Sequence, residues 1–488
     1  MNAVSPVPTG LPALEQRLRQ DLEWLEWPAK DWVPPREYEG QRVRDVVIVG
    51  AGMCGLAAAG ALKGLGLSNI VLLDRAPAGR EGPWVTYARM ETLRSPKQLT
   101  GPALGLPALT FRAWYEAQHG RTAWEALGKI PRPMWMDYLV WYRKVLNLPV
   151  ENGVSVDAVM QQGDLLALTV SDAKGSRTIF ARHLVLATGR DGLGAPWVPP
   201  IAEAVDRRFW AHSADDIDFT ALRGKRVGVV GAGASAMDNA ATALEHGVAG
   251  LDLFIRRKEL PRINKFTGIG SQGVVHGVAG LPDDWKWRFF DYALKAQTPP
   301  PRDSTSRVSR HANARFHLGS PILDLQERDG ALALTTPKGT YILDFLIFAT
   351  GFSVDLGERP ELAAVAPFIR FWKDRYVPEG IDNAELESAP DLGPSFEFQE
   401  KQPGSCPALA RIHCFNYPAM LSHGKLSGDI PAVSAGADRL GRGIARALFV
   451  ADREAHYRSL VAYDTPELLG DEWTDADAMP ADLTVSTS

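Results

Sequence analysis

The spacing of apolar and polar positions changes several times along the chain. Leu14, Leu18, Leu22 and Leu25 recur at helical intervals among charged residues and predict an amphipathic helix, which Pro34-Pro35 end. Its polar face mixes Glu15, Asp21 and Glu23 with Arg17 and Arg19, so docking on the body or on a second subunit is expected rather than lying on a membrane. Val46 to Val49 are unbroken apolar residues, as in a strand covered on both faces, and Ile70 to Leu73 repeat the pattern. Short strands are expected at Val154 to Thr169, Thr178 to Phe180 and Leu184 to Leu186, and a helix from Met134. Arg226 to Val230 and Gly250 to Ile255 form a second strand pair, and Trp285 to Leu294 an aromatic helix. Ala331 to Thr335 and Thr340 to Leu343 read as a hairpin around Lys338-Gly339, Phe345 to Phe348 as a strand, and Ala437 to Arg453 as the last helix. The tail after about Gly470 is acidic and expected to be mobile.

Between the first two strands stands Gly50-Ala51-Gly52-Met53-Cys54-Gly55, opening an Ala-rich helix. Gly50 allows the turn, Gly52 the approach of a pyrophosphate and Gly55 close helix packing, with phosphate at the helix N-terminus. Asp74 ends the second strand, placed for a ribose diol, with Arg75 beside it. Cys54 reads as a small packing residue rather than a redox thiol. The device recurs as Gly231-Ala232-Gly233-Ala234-Ser235-Ala236. Counted from each turn, Ile255 stands where Asp74 stands, followed by Arg256-Arg257-Lys258. An acid would repel a ribose 2'-phosphate and these cations suit one, so NADPH is expected rather than NADH. The strands ending at Leu186 and Phe348 run into Ala187-Thr188-Gly189 and Ala349-Thr350-Gly351, small enough for close passage of a dinucleotide. Gly82-Pro83-Trp84 and Met90 are candidates for contact with a flat ring, and Asp429 lies in a late loop joined to the same cofactor set.

Composition narrows the class. The 488 residues allow two domains or more, and a net charge of -5 argues against nucleic acid as a partner. Three cysteines without C-x-x-C spacing suit a reducing, cytoplasmic setting. The N-terminal ten residues lack a basic, apolar secretory pattern, and no membrane span is evident. Neither H-E-x-x-H nor G-x-S-x-G occurs, and no metal site is expected.

An acid-ended and a basic-ended dinucleotide fold, each followed by A-T-G, resemble the class B flavin-dependent monooxygenases. Phe209-Trp210-Ala211-His212-Ser213 is similar to that class's linker signature, although Ala211 replaces a glycine and the spacing to the histidine is shorter. Thr92 to Pro96 and Asp137-Tyr138-Leu139 resemble the amine N-hydroxylating branch, with Ala88 where that branch tends to carry a substrate lysine. The resemblance implies an α/β fold with two Rossmann-like domains of three-layer ββα type, the NADPH domain inserted in the FAD domain. The expected divisions are a helical extension over 1–43, FAD domain over 44–212 and 343–456, NADPH domain over 213–342, and tail over 457–488. The resemblance further implies that NADPH reduces FAD, that a C4a-hydroperoxyflavin forms with O2, and that one oxygen passes to a small substrate, an amine or amino-acid nitrogen or a sulfur. Lys97, Asn264 and His212 are the catalytic candidates, with Arg89, Arg94, Arg262 and Lys265 as further cations for a carboxylate-bearing substrate. An FAD-dependent reductase or oxidase without oxygen insertion and a non-catalytic nucleotide sensor stay open, as does a homo-oligomer.

Overall fold

The computed structural model describes residues 9–475. Most of the N-terminal stretch read for a secretory pattern, and the end of the acidic tail, lie outside these residues. The helix Gly10–Trp24 buries Leu18 and Leu22 in the main core, which makes it part of the body.

The first large sheet is built around Arg44–Val49, flanked in parallel by Ile70–Asp74 and Gly175–Leu186. Val150–Asn152 extends it beyond Ile70–Asp74, and Ile412–Cys414 joins Gly175–Leu186 on the other side. Gly175–Leu186 also pairs antiparallel with Leu165–Asp172, which pairs with Ser155–Gln162. The two short strands expected at Thr178 to Phe180 and Leu184 to Leu186 are thus one strand of 12 residues. Arg182 and His183 do not break it, because both side chains are satisfied in the interior. Arg182 donates to both oxygens of Asp452 (2.7 and 3.0 Å), and the His183 and His413 rings meet at 3.0 Å.

The second sheet is wholly parallel and takes the order Trp210–His212, Phe345–Phe348, Arg226–Val230, Gly250–Ile255, Ala314–Leu318. A three-stranded antiparallel layer, Asp324–Arg328, Ala331–Thr336 and Gly339–Leu343, includes the expected hairpin. Two expected boundaries are corrected. Phe345–Phe348 and Trp210–His212 belong to the second sheet, because Phe345 to Phe348 register with Val227 to Val230. The segment assigned to a tail from 457 begins inside a helix, Arg453–Ala462, preceded by Val433–Ala451. Among the described residues no helix is long and apolar enough to cross a membrane.

Candidate functional site

Both glycine turns are built by one set of main-chain contacts. Gly50 N–H donates to Leu73 O (2.8 Å) and Ala187 N–H to Val49 O (2.8 Å), while Gly231 N–H donates to Phe254 O (3.1 Å) and Ala349 N–H to Val230 O (2.9 Å). A Cβ on Gly50 (φ +100) would lie 2.5 Å from the Ala187 carbonyl oxygen, and one on Gly231 (φ +141) 2.6 Å from that of Ala349. Each A-T-G therefore runs directly beneath its glycine turn, which is why small residues occupy both. Gly189 and Gly351 follow with φ of +79 and +88.

The first turn is enclosed. Met53, Cys54 and Gly55 are buried, and a Cβ on Gly55 would fall 1.9 Å from Gly50 O. Asp74 accepts from Ala51 N–H (2.7 Å) and Ala76 N–H (2.8 Å), so its carboxylate tethers the turn and keeps further lone pairs for a diol. Arg75 is exposed, 3.9 Å from Asp191. Opposite, Gly82 faces Gly52, whose Cβ would stand 3.8 Å from Gly82 Cα, so the two loops approach within van der Waals contact and small residues on both keep the backbone there accessible to a nucleotide. The Gly82-Pro83-Trp84 loop is anchored by buried Glu81, which accepts from Arg143 (3.0 Å) and Asn152 (2.7 Å). Arg132 donates to the carbonyls of Trp84 and Met90, fixing both candidates. A late loop closes the far side: Cys54 donates to Ser427 O (3.4 Å), and Ser427 Oγ to Asn416 O (2.7 Å). Asn416 in turn donates to Thr188 Oγ1 (3.1 Å). Burial, with Asp429 nearby, pushes the Cys54 thiol up to about 12, so it stays protonated, as a packing residue should.

The second turn is open. Gly233 and Ser235 are exposed, Ala234 is half-buried, and buried Ala236 fills the place of the third glycine. Arg256 is exposed at the strand end, and Arg257 donates to Lys295 O (2.9 Å). Thr350 Oγ1 donates to Trp197 O.

The catalytic candidates divide. Lys97 is corrected to a structural role: its ammonium donates to the carbonyls of Trp124, Glu125 and Leu127, spending its three N–H groups on the end of helix Phe111–Ala126. His212 is 1% exposed; its Nδ1 accepts from Ala214 N–H (3.1 Å), while its Nε2 lies near the Gly351 backbone without a well-aligned hydrogen bond. Burial lowers its pKa, against the opposing pull of Asp215 and the Gly351 backbone, and keeps it neutral. Asn264 Oδ1 is likewise buried without a partner, as is Trp84 Nε1. Asn264 precedes Phe266, over whose ring Lys425 stands at 4.4 Å; Lys425 lies 3.7 Å from Asp429, and the Asp429 charge reaches Arg94. Phe266, Lys425, Asp429 and Arg94 thus form one run of neighbours towards the first turn, with Asn264 two positions before Phe266 in the chain. Arg89 instead donates to Thr86 O and Asp215 O, and Lys265 lies over Tyr292.

Arg132, Lys425, Ser427 and Arg307 were not singled out from sequence, and no local spacing marks them. Arg307, 7% exposed, reaches Glu245 (2.6 Å), Glu91 (3.6 Å), Asp238 (3.8 Å) and Arg89 O (3.5 Å), lashing the 89–91 segment to the second lobe.

Comparisons with known proteins agree with this geometry. Residues 47–265 match the family described as pyridine nucleotide-disulphide oxidoreductase. The chain is 42% identical over 467 residues to the FAD-dependent urate hydroxylase of Xanthomonas campestris pv. campestris, covering 95% of this chain and 98% of that protein. The chain belongs to the class B flavin-dependent monooxygenase family. The solved L-lysine 6-monooxygenase of Pseudomonas syringae shares the fold (TM-score 0.64, 17% identity, 83% of this chain and 99% of that one). So does the ornithine N-hydroxylase of Kutzneria, described with reduced FAD, NADP+ and L-ornithine (TM-score 0.63, 19% identity, 83% and 99%). The family's two-cradle plan accounts for the repeated contacts around Gly50 and Gly231. The orphaned Nε1 of Trp84, beside the glycine-lined approach of the Gly50 and Gly82 loops, fits a flavin nucleotide in the first cradle.

Proposed function

We propose that the protein is an FAD- and NADPH-dependent monooxygenase that puts one oxygen atom of O2 into urate or a related anionic purine. The observation that carries this reading is the end-to-end likeness to a urate hydroxylase. Bound FAD supplies the redox and oxygen chemistry, with NADPH as the source of hydride. The chain's own share is holding and shielding. Residues 44–197 with 352–456 form the FAD lobe, where Gly50, Gly52, Gly55 and Asp74 hold the nucleotide and Gly82, Pro83, Trp84, Met90, Thr188, Gly189 and Asp429 surround it. Residues 210–351 form the NADPH lobe, with Gly231, Gly233, Ala234, Ser235 and Ala236 at the pyrophosphate and Arg256 and Arg257 at the 2'-phosphate. Ala349, Thr350 and Gly351 support that turn from below.

Asn264 Oδ1 is an acceptor for a purine N–H, since a buried unpaired acceptor is costly until a donor reaches it. Lys425 and Arg94 supply positive charge for an anionic ring, and neutral His212 offers Nε2 at the junction of the lobes. A second reading, N-hydroxylation of an amine, is supported by the shared fold alone, and Ala88 stands against an ornithine or lysine substrate. The test is NADPH oxidation with urate, xanthine, ornithine, lysine and a thioether, with product masses checked for one added oxygen. Urate-dependent turnover is expected; oxidation of an amino acid with urate inert would overturn the assignment.

A further inference from the structure

A cavity of about 770 Å³ runs along one face of helix Val433–Ala451, and none of the residues assigned above to FAD or NADPH lines it. Its lining is strongly cationic: Lys286, Arg370, Arg375, Arg439, Arg442 and Arg446, with Asp438 as the acid among them. Asp391, fully buried behind the wall, pairs with both Arg370 (2.6 Å) and Arg375 (2.7 Å), and Asp438 pairs with Arg442 (2.8 Å). Among the described residues three of these cations, Lys286, Arg439 and Arg446, have no carboxylate ion pair of their own, and two of them, Lys286 and Arg439, gather around His423. Arg439 donates to Nδ1 of His423 (3.2 Å), whose Nε2–H donates to Gly393 O (2.8 Å). That arrangement requires a neutral ring, and burial holds the His423 pKa down to about 3, so nothing on His423 offsets the guanidinium charge. Lys286 is 7% exposed and, among the described residues, its ammonium has neither a hydrogen bond nor an ion pair; it lies 5.8 Å from the Trp372 ring. Burial lowers the Lys286 pKa and Arg375 adds to this, against the pull of Asp283 and Asp391, while Lys286 and Arg439 both bear on the neutral His423 between them; an anion there would offset the cationic excess of the wall.

We propose that this cavity binds a small oxyanion, carboxylate or phosphate, between Lys286 and Arg439. His423 ends the short helix Met420–His423 and leads directly into the loop that carries Ser427 and Asp429 over the first glycine turn. An anion fixing Arg439 therefore braces that loop and slows release of the nucleotide beneath it.

The test uses FAD-loaded protein without NADPH or purine, so its outcome is independent of the substrate assignment. Inorganic phosphate and citrate are titrated at ionic strength held constant with sodium chloride, reading the thermal midpoint and the rate of FAD fluorescence release. A saturable rise in midpoint with slower release is expected for at least one anion; response to citrate alone assigns a carboxylate, and to phosphate alone a phosphate. Lys286→Met and Arg439→Gln should each weaken the response by about tenfold or more, the loss of one charge-assisted hydrogen bond. Arg439→Lys, which keeps the charge, should keep a saturable response and so exposes any mere folding defect. No saturable response to either anion, or an unaltered one in both charge-removing variants, overturns the proposal.

Discussion

The two glycine turns have matching backbones and different surroundings. The first is buried beneath Gly82 on one side and Ser427 on the other, and its acid is tied into the turn itself. The second presents Gly233 and Ser235 to solvent, with cations in place of the acid. A nucleotide leaving the first must wait for a loop to move, whereas one in the second meets water directly. Retention and exchange are thus set by what folds over each turn.

Four measurements would break or sharpen this contrast. Gly55→Ala should have the largest effect, since its Cβ would meet Gly50 O at 1.9 Å; overpacking costs about 1–3 kcal/mol, and a clash with backbone belongs at the upper end. Flavin content on purification should collapse, while the matched Ala236→Gly variant keeps its flavin; equal behaviour of the two would remove the difference in packing.

Acid stability separates the halves next. His413 and His183 are buried against each other in the first sheet, and burial lowers both, His413 to about 4. A histidine with a depressed folded pKa stabilises fully above its ordinary value of 6.5, and that contribution is lost as pH falls towards the folded value. Asp45, raised to about 6 by burial, acts in the opposite direction over part of this window. The unfolding midpoint should fall between pH 6.5 and 4, by an amount equivalent to about 3 kcal/mol for His413 alone at 1.36 kcal/mol per unit. A chemical-denaturation profile that stays flat in an Asp45→Asn variant, where the opposing carboxyl is gone, would count against the buried pair.

Replacing Arg256 and Arg257 together with alanine should raise the KM for NADPH about tenfold or more and leave that for NADH nearly unchanged, the signature of a lost phosphate contact. Equal rises would defeat the 2'-phosphate assignment. Lys97→Met should matter least, costing about 1 kcal/mol of stability through lost carbonyl contacts, with kcat within about twofold of the parent. A large fall in kcat without unfolding would return Lys97 to the reaction.

Much of this was readable because it is local. Gly50 to Asp74 and Gly231 to Ile255 each carry their turn, helix and strand within one short segment, so the chemistry of each turn follows from its own residues. What failed was long-range. Lys97 looked reactive in a basic run, yet its partners are carbonyls near residue 125. Phe345–Phe348 looked like the return to the first domain, but its register with Val227 to Val230 depends on the sheet order. The single strand Gly175–Leu186 reads as two pieces in the sequence, and the polar Arg182 and His183 between them are accommodated by partners, Asp452 and His413, more than 200 positions away. The loop over Cys54 has no periodicity at all, and only its Asp429 drew notice.

The knot around Arg307 bears on how the cofactors can reach one another. With one guanidinium spanning Glu91 and Glu245, a clasp ties the 89–91 segment to the second lobe, and the expectation is that the lobes keep their relative position while the nicotinamide moves. Small-angle scattering with and without NADPH should superimpose, and a change in radius of gyration would show that the clasp opens.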